Sequence, residues 1–226
     1  MKNFFNNRPF SKIGLLAVPL LVFMVLMRTY FPKVAPEGFQ SFIVAFEFAR
    51  TPEQIHLLFN GFTTADFRNA DIGNYLDFGF MITYSLFLFQ FFKIGTKYFK
   101  DRWLFLGIPL TFIILFADIS ENICLLRITS IYTPEINAAE LQSTLKILHV
   151  ITWIKWGSLA LIFALFSINL LGRNILSSIE SILFFGPAIL SLWAKTNDPV
   201  GISNFVLSVN LAFFLLILYS FRFKPK

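Results

Sequence analysis

In a chain of 226 residues, 56% are hydrophobic and only 14% charged, and the mean hydropathy is +0.69, so water cannot be its main solvent. The formal net charge of +6 does not point to nucleic acid, because the basic residues sit at the ends of apolar stretches and line no groove with interleaved stacking aromatics. The single cysteine, Cys124, lies in an apolar stretch; it excludes an intramolecular disulfide and a cysteine-rich metal site, and reads as a small core residue.

A helix that crosses a hydrocarbon core of roughly 30 Å needs about 20 mostly apolar residues. The chain supplies such stretches repeatedly, which predicts an all-α fold: a polytopic membrane helix bundle of about six spans forming one membrane domain over residues 1–226. Lys2, Arg8 and Lys12 precede an apolar run from Ile13 to Met27. No small-residue cleavage site follows, so the run is expected to remain as a first span over 12–31, with Arg28 snorkelling, Tyr30 at the interface and Pro19 kinking it.

The stretch 36–74 is expected to form an extracytoplasmic helical cap. Phe39, Phe42, Ile43 and Phe46 recur at helical spacing on a segment too short to span. Thr51, Pro52 and Gln54 read as N-cap, first-turn proline and capping-box partner of a second short helix that Gly61 would end. The two helices are expected to roof the bundle and to dock on it through Glu47 and neighbouring aromatics.

Further spans are expected over 75–92, 103–127, 146–171, 174–194 and 200–221. Gly172, Arg173 and Asn174 signal the turn before the fifth. That span opens with Ser177, Ser178, Glu180 and Ser181, and its middle is expected to break at Gly186 and Pro187. The abundant phenylalanine reads as lipid-facing and packing mass.

Six spans put Lys2, Arg8, Lys12, Lys93, Lys97, Lys100, Arg102, Arg173, Arg222, Lys224 and Lys226 on one side. The other side carries Glu37, Glu53, Asp66, Asp71, Glu135, Glu140 and Asp198. The bias predicts a multi-pass protein of the cytoplasmic (inner) membrane with both termini in the cytoplasm.

Ionisable groups inside spans are costly, which makes Asp77, Asp118, Glu121, Lys155 and Glu180 the candidates for function. Asp118, Glu121 and Asn122 share one helical face, which must look inward. Asp77 and Tyr84, seven apart, share another, and the tyrosine can donate to an acid. At about 1.5 Å per residue, Asp77, Asp118 and Lys155 each lie roughly 22 to 24 Å from the cytoplasmic ends of their helices, in one layer of the outer half. Lys155 is expected to pair with Asp118 and to share Asp77, whereas Glu180 lies too near the cytoplasmic side to touch them. Trp153 and Trp156 could cover an amphiphile, although tryptophans at helix ends are ordinarily interface anchors.

No metal site or cofactor is expected: His149 is outside the polar layer, His56 is in the roof, and no metal-ligand motif occurs. Neither a nucleophile elbow nor a histidine placed near a serine can be read.

In order, Phe46-Glu47-Phe48-Ala49-Arg50-Thr51-Pro52-Glu53, then Leu76-Asp77-Phe78-Gly79-Phe80 with Tyr84, then Asp118-Ile119-Ser120-Glu121-Asn122, resemble the motifs of an uncharacterised bacterial family of small multi-spanning membrane proteins. Lys155 fits the same pattern. The resemblance covers roughly the first four spans and implies no substrate, cofactor or reaction.

The leading functional expectation is a non-enzymatic membrane protein that binds a small or amphiphilic ligand, or a partner, through Asp77, Tyr84, Asp118, Glu121, Asn122 and Lys155. A satisfied network locking three helices together accounts for the same residues. The alternatives are a lipid-active intramembrane enzyme using Asp118 or Glu121 as general acid or base, or a proton-coupled transporter. The expected partners are membrane lipid and a membrane protein, with no nucleic acid.

Overall fold

A computed structural model of the chain describes residues 7–99, 102–133, 138–172 and 174–225. Lys2, Lys100, Glu135, Arg173 and Lys226, used above as topology signals, lie outside the described residues. The described chain is helical: α1 (Ser11–Gly14), α2 (Ala17–Tyr30), α3 (Phe42–Glu47), α4 (Pro52–Leu58), α5 (Thr64–Tyr98), a 3-10 turn (Arg102–Leu106), α6 (Gly107–Ile131), α7 (Ala138–Leu170), α8 (Ile175–Ala194) and α9 (Pro199–Arg222). Six helical stretches are long and apolar enough to cross a membrane, the first being α1 and α2 together and the others α5 to α9. Helices suit that environment because every backbone N–H and C=O inside hydrocarbon must be satisfied within the segment.

The first span breaks where a proline dictates. Leu15 and Leu16 donate to carbonyls three residues back and Val18 to Leu15, so a tight turn joins α1 to α2 just before Pro19, which has no N–H to continue the ladder. The fifth span departs from expectation: α8 runs unbroken with Pro187 inside it. A proline removes one backbone bond, and a membrane helix absorbs that loss by local adjustment.

Two helices begin well before their apolar cores. Thr63 Oγ1 accepts from Asp66 N while Asp66 Oδ2 accepts from Thr63 N at 2.8 Å, a reciprocal cap that starts α5 at Thr64, where 75 was expected. With 35 residues, α5 is about 52 Å long and projects beyond a hydrocarbon core of roughly 30 Å. Similarly α7 starts at Ala138, where 146 was expected.

Successive spans pack on one another from α2 through α5, α6, α7 and α8 to α9, and α1 packs against α9. Gly14 allows that approach, because a Cβ there would lie 2.4 Å from Ser220 Oγ. Arg8 Nη1 donates to Phe221 O at 2.8 Å, and Phe10 stacks on Phe91 at 4.6 Å and meets Phe223 edge-on at 5.2 Å. The first and last described segments therefore sit at one end of the bundle, beside the end of α5.

At the other end α3 and α4 form the roof. Thr51 and Gln54 make the expected capping box, and Gly61, at φ +76, takes the left-handed turn after α4 that a side chain would strain. Phe42, Phe46, Ile55 and Phe59 are buried with Leu125, Ile128, Leu141 and Leu145 of the spans below. Ser203 Oγ donates to Gly38 O at 2.9 Å, and Gln142 Nε2 donates to Arg50 O at 3.0 Å, which fastens the roof to α9 and α7. Cys124 is half-buried beside this roof-side core.

Candidate functional site

One turn of α7 carries the centre of the site. Thr152, Lys155 and Trp156 are three and four residues apart, so all three share a face, and each is buried. Across from them α6 presents Asp118, Glu121 and Asn122, which are likewise buried on the inward face that the spacing predicts. From above, the last residue of α3, Glu47, enters the same space at only 6% exposure.

These residues meet around the ammonium group of Lys155. Its Nζ lies 3.2 Å from Glu47 Oε1 and 3.3 Å from Asp118 Oδ1, and it is in closest contact with Glu121 Oε2. The partners are held in turn. Thr152 Oγ1 bridges Glu121 Oε1 at 2.6 Å and the Glu47 carbonyl at 3.1 Å, Trp156 Nε1 donates to Glu47 Oε2 at 3.0 Å, and the Tyr84 hydroxyl donates to Asp118 Oδ2. The lysine also lies 4.9 Å from the centre of the Trp156 ring. Burial raises the Glu47 carboxyl above its ordinary value; Lys155 pulls it down, Asp118 pushes it up, and burial prevails.

Two sequence expectations need correction. Lys155 does pair with Asp118, but not with Asp77, which accepts instead from Asn122 Nδ2 at 2.8 Å. Glu121 and Glu47 complete the lysine's shell. Trp156 is no interface anchor: it is buried and bonded to Glu47. Glu180, as expected, stays apart and pairs with Arg222 at 2.5 Å. His56 bonds Tyr132 within the roof, and His149 stacks edge-on toward Trp153, away from the lysine.

The chain matches no family model, no curated protein and no solved structure. What can be said of the site rests on its own geometry.

That geometry includes a cavity of about 610 Å³ running along α2, α5 and α9 beneath the roof. Its walls are apolar, among them Leu21 and Met24 of α2 and Val209, Phe213 and Phe214 of α9. Glu47, Asp77, Tyr84, Asp118 and Lys155 line its polar end. Ala17 and Met27 both line it, so it extends along ten residues of α2, about 15 Å. Leu21, Met24 and Phe214 are half-exposed, which leaves the space open sideways between the first and sixth spans. An apolar space of roughly 300–1,000 Å³ with a few convergent polar groups is the usual form of a ligand site.

The expectation that Glu47 docks the roof on the bundle holds, but Glu47 was not expected to join the lysine's acids, and Thr152 was not singled out at all. The signal for Glu47 was a lone carboxylate beside the apolar face of α3; for Thr152 it was the three-residue offset from Lys155.

Proposed function

We propose that this is a multi-pass protein of the cytoplasmic membrane that binds a membrane amphiphile, with the tail between α2 and α9 and the head at the Lys155 cluster. One observation carries the reading: the apolar cavity opens sideways toward where lipid would lie and ends on a buried polar group under the roof. A purely structural network would need no such space beside it. The proposed orientation places both termini in the cytoplasm; Arg8, Lys12, Lys93, Lys97, Arg222 and Lys224 gather at the end where the first and last described segments meet, which supports it. The likeness of the motifs to an uncharacterised bacterial membrane family belongs to the same proposal and adds no reaction to it.

The test is native mass spectrometry of protein purified in mild detergent, alongside Leu21→Trp, which places an indole in the cavity from a half-exposed position. A bound lipid in the parent and its loss from a folded variant are expected. Equal lipid occupancy in the two proteins would sink the proposal.

A further inference from the structure

We infer that the head of the bound amphiphile is a hydrogen-bond-donating cation, a long-chain ammonium, and not a phosphate or carboxylate; the inference rests on the amphiphile reading above. The donors and acceptors where the cavity ends set the charge that a head can carry there. Lys155 faces three carboxylates with its three N–H groups, Tyr84 gives its hydroxyl proton to Asp118, and Trp156 gives its N–H to Glu47. These three buried donors that line the cavity are thereby committed inside the protein; the unpartnered Asn74 amide lies beside Asn122 and does not line it. The side-chain amides of Gln40 and Asn210 also border the cavity, but at exposed positions.

Acceptors remain. Asp118 Oδ1, on a side chain only 4% exposed, has the lysine 3.3 Å away as an ion-pair partner but receives no directed hydrogen bond. Asp77, partly buried, accepts one hydrogen bond, from Asn122 to Oδ2. Three carboxyl groups, those of Glu47, Asp118 and Glu121, thus surround a single ammonium, and a fourth, that of Asp77, lines the same cavity without reaching it. An anionic head would add like charge and, among the described residues, meet donors only at the exposed Gln40 and Asn210 amides and the half-buried Ser41 hydroxyl, away from the fully buried cluster, which in a water-poor site is unfavourable. An ammonium would meet Asp77 and Asp118 with charge-assisted hydrogen bonds and bring the cluster toward neutrality.

Protons on the acids are the competing way to balance the charge, and pH separates the two. An ammonium gains as the acids ionise, so its retention rises with pH. A phosphate would need protonated acids as donors, so its retention would rise as pH falls.

The experiment offers the full-length protein an equimolar mixture of hexadecylamine, hexadecanol and hexadecyl phosphate, and reads the retained probe by native mass spectrometry at about pH 5 and about pH 8. The expected result is an amine preference over phosphate of about tenfold, larger at the higher pH, reduced in Asp77→Asn, with all probes lost from Leu21→Trp. Phosphate retained as well as amine, or amine retention that falls with pH, overturns the head assignment; the pH trend uses the unaltered protein and does not depend on Asp77→Asn folding. An unchanged preference in a folded Asp77→Asn protein overturns it as well. If the probes bind and are lost from Leu21→Trp but phosphate is preferred, the amphiphile site stands and only the head is wrong. If no probe is retained, or Leu21→Trp retains them all, the site itself fails and the head assignment with it.

Discussion

Lys155 of α7 and Glu47 of the roof helix α3 meet at 3.2 Å, so a charge inside a span holds down a segment that crosses nothing. The same lysine reaches Asp118 and Glu121 on α6. One ammonium therefore ties the roof to two helices, and Tyr84 extends the network to α5 through Asp118.

This arrangement makes the lysine far less replaceable than any one of its partners. Lys155→Met leaves three buried carboxylates without their cation and is expected to cost about 3 to 5 kcal/mol. Asp118→Asn should cost less, because Glu47 and Glu121 still hold the ammonium. Adding Glu121→Gln to Lys155→Met should recover part of the loss. Thermal unfolding in detergent across this cycle checks the expectation, and strictly additive losses would show that the groups do not interact.

Glu47 makes stability fall as pH rises above the ordinary carboxylate range. Its carboxyl in the folded protein titrates above the ordinary 4.5, with burial as the largest cause. Its contribution to stability is then complete below 4.5 and is lost as pH rises through the higher folded value. Glu47→Gln keeps an acceptor for Trp156 and cannot ionise, so the variant should lose less stability than the parent as pH rises from 4.5. Melting curves of both proteins over that range decide it; parallel slopes would exclude Glu47 as the source.

The ion pair between Glu180 and Arg222 offers a contrast. Glu180 and Arg222 are 2.5 Å apart, but the arginine side chain is 49% exposed. A pair so open contributes about 0 to 1 kcal/mol. Arg222→Ala should move the melting temperature much less than Lys155→Met under the same conditions, and a comparable drop would mean the pair is shielded.

The orientation can be read with reporter fusions. Fusions after Lys100, Arg173 and Lys226 should report the cytoplasm, and fusions near Asn60 and Asn137 the outside. An outside signal after Arg173 would mean that α7 and α8 do not both cross.

Folded protein should also resist protease between Pro36 and Gly61, because the roof is pinned by Glu47, Ser203 and Gln142. Cutting there should accelerate in Lys155→Met before the spans unfold. Free cutting in the parent protein would show that the roof is not docked.

The sequence alone determined what depends on local composition and spacing. Apolar stretches of bilayer length announced six helices, because no other open-ended structure satisfies its backbone in hydrocarbon. The spacing of Asp118, Glu121 and Asn122 put them on one face, and Thr51 with Gln54 announced the start of α4. The starts of α5 and α7 were less legible, since charged and polar residues interrupt their first two turns, which precede the apolar core that marks a span. Only the tertiary structure decided which acids reach the lysine. Glu47 could be read as the docking residue of the roof, but it and Lys155 are remote in the chain, and nothing local states that its partner is the middle of α7. The exchange of Asp77 for Glu121 and Glu47 around Lys155 has the same cause: depth along a helix is readable from residue count, but the rotation of each helix about its axis is set by its neighbours. The cavity is the furthest from the sequence, because it is the space left where α2 and α9 diverge above the contact between α1 and α9, and an empty volume has no residues of its own to read.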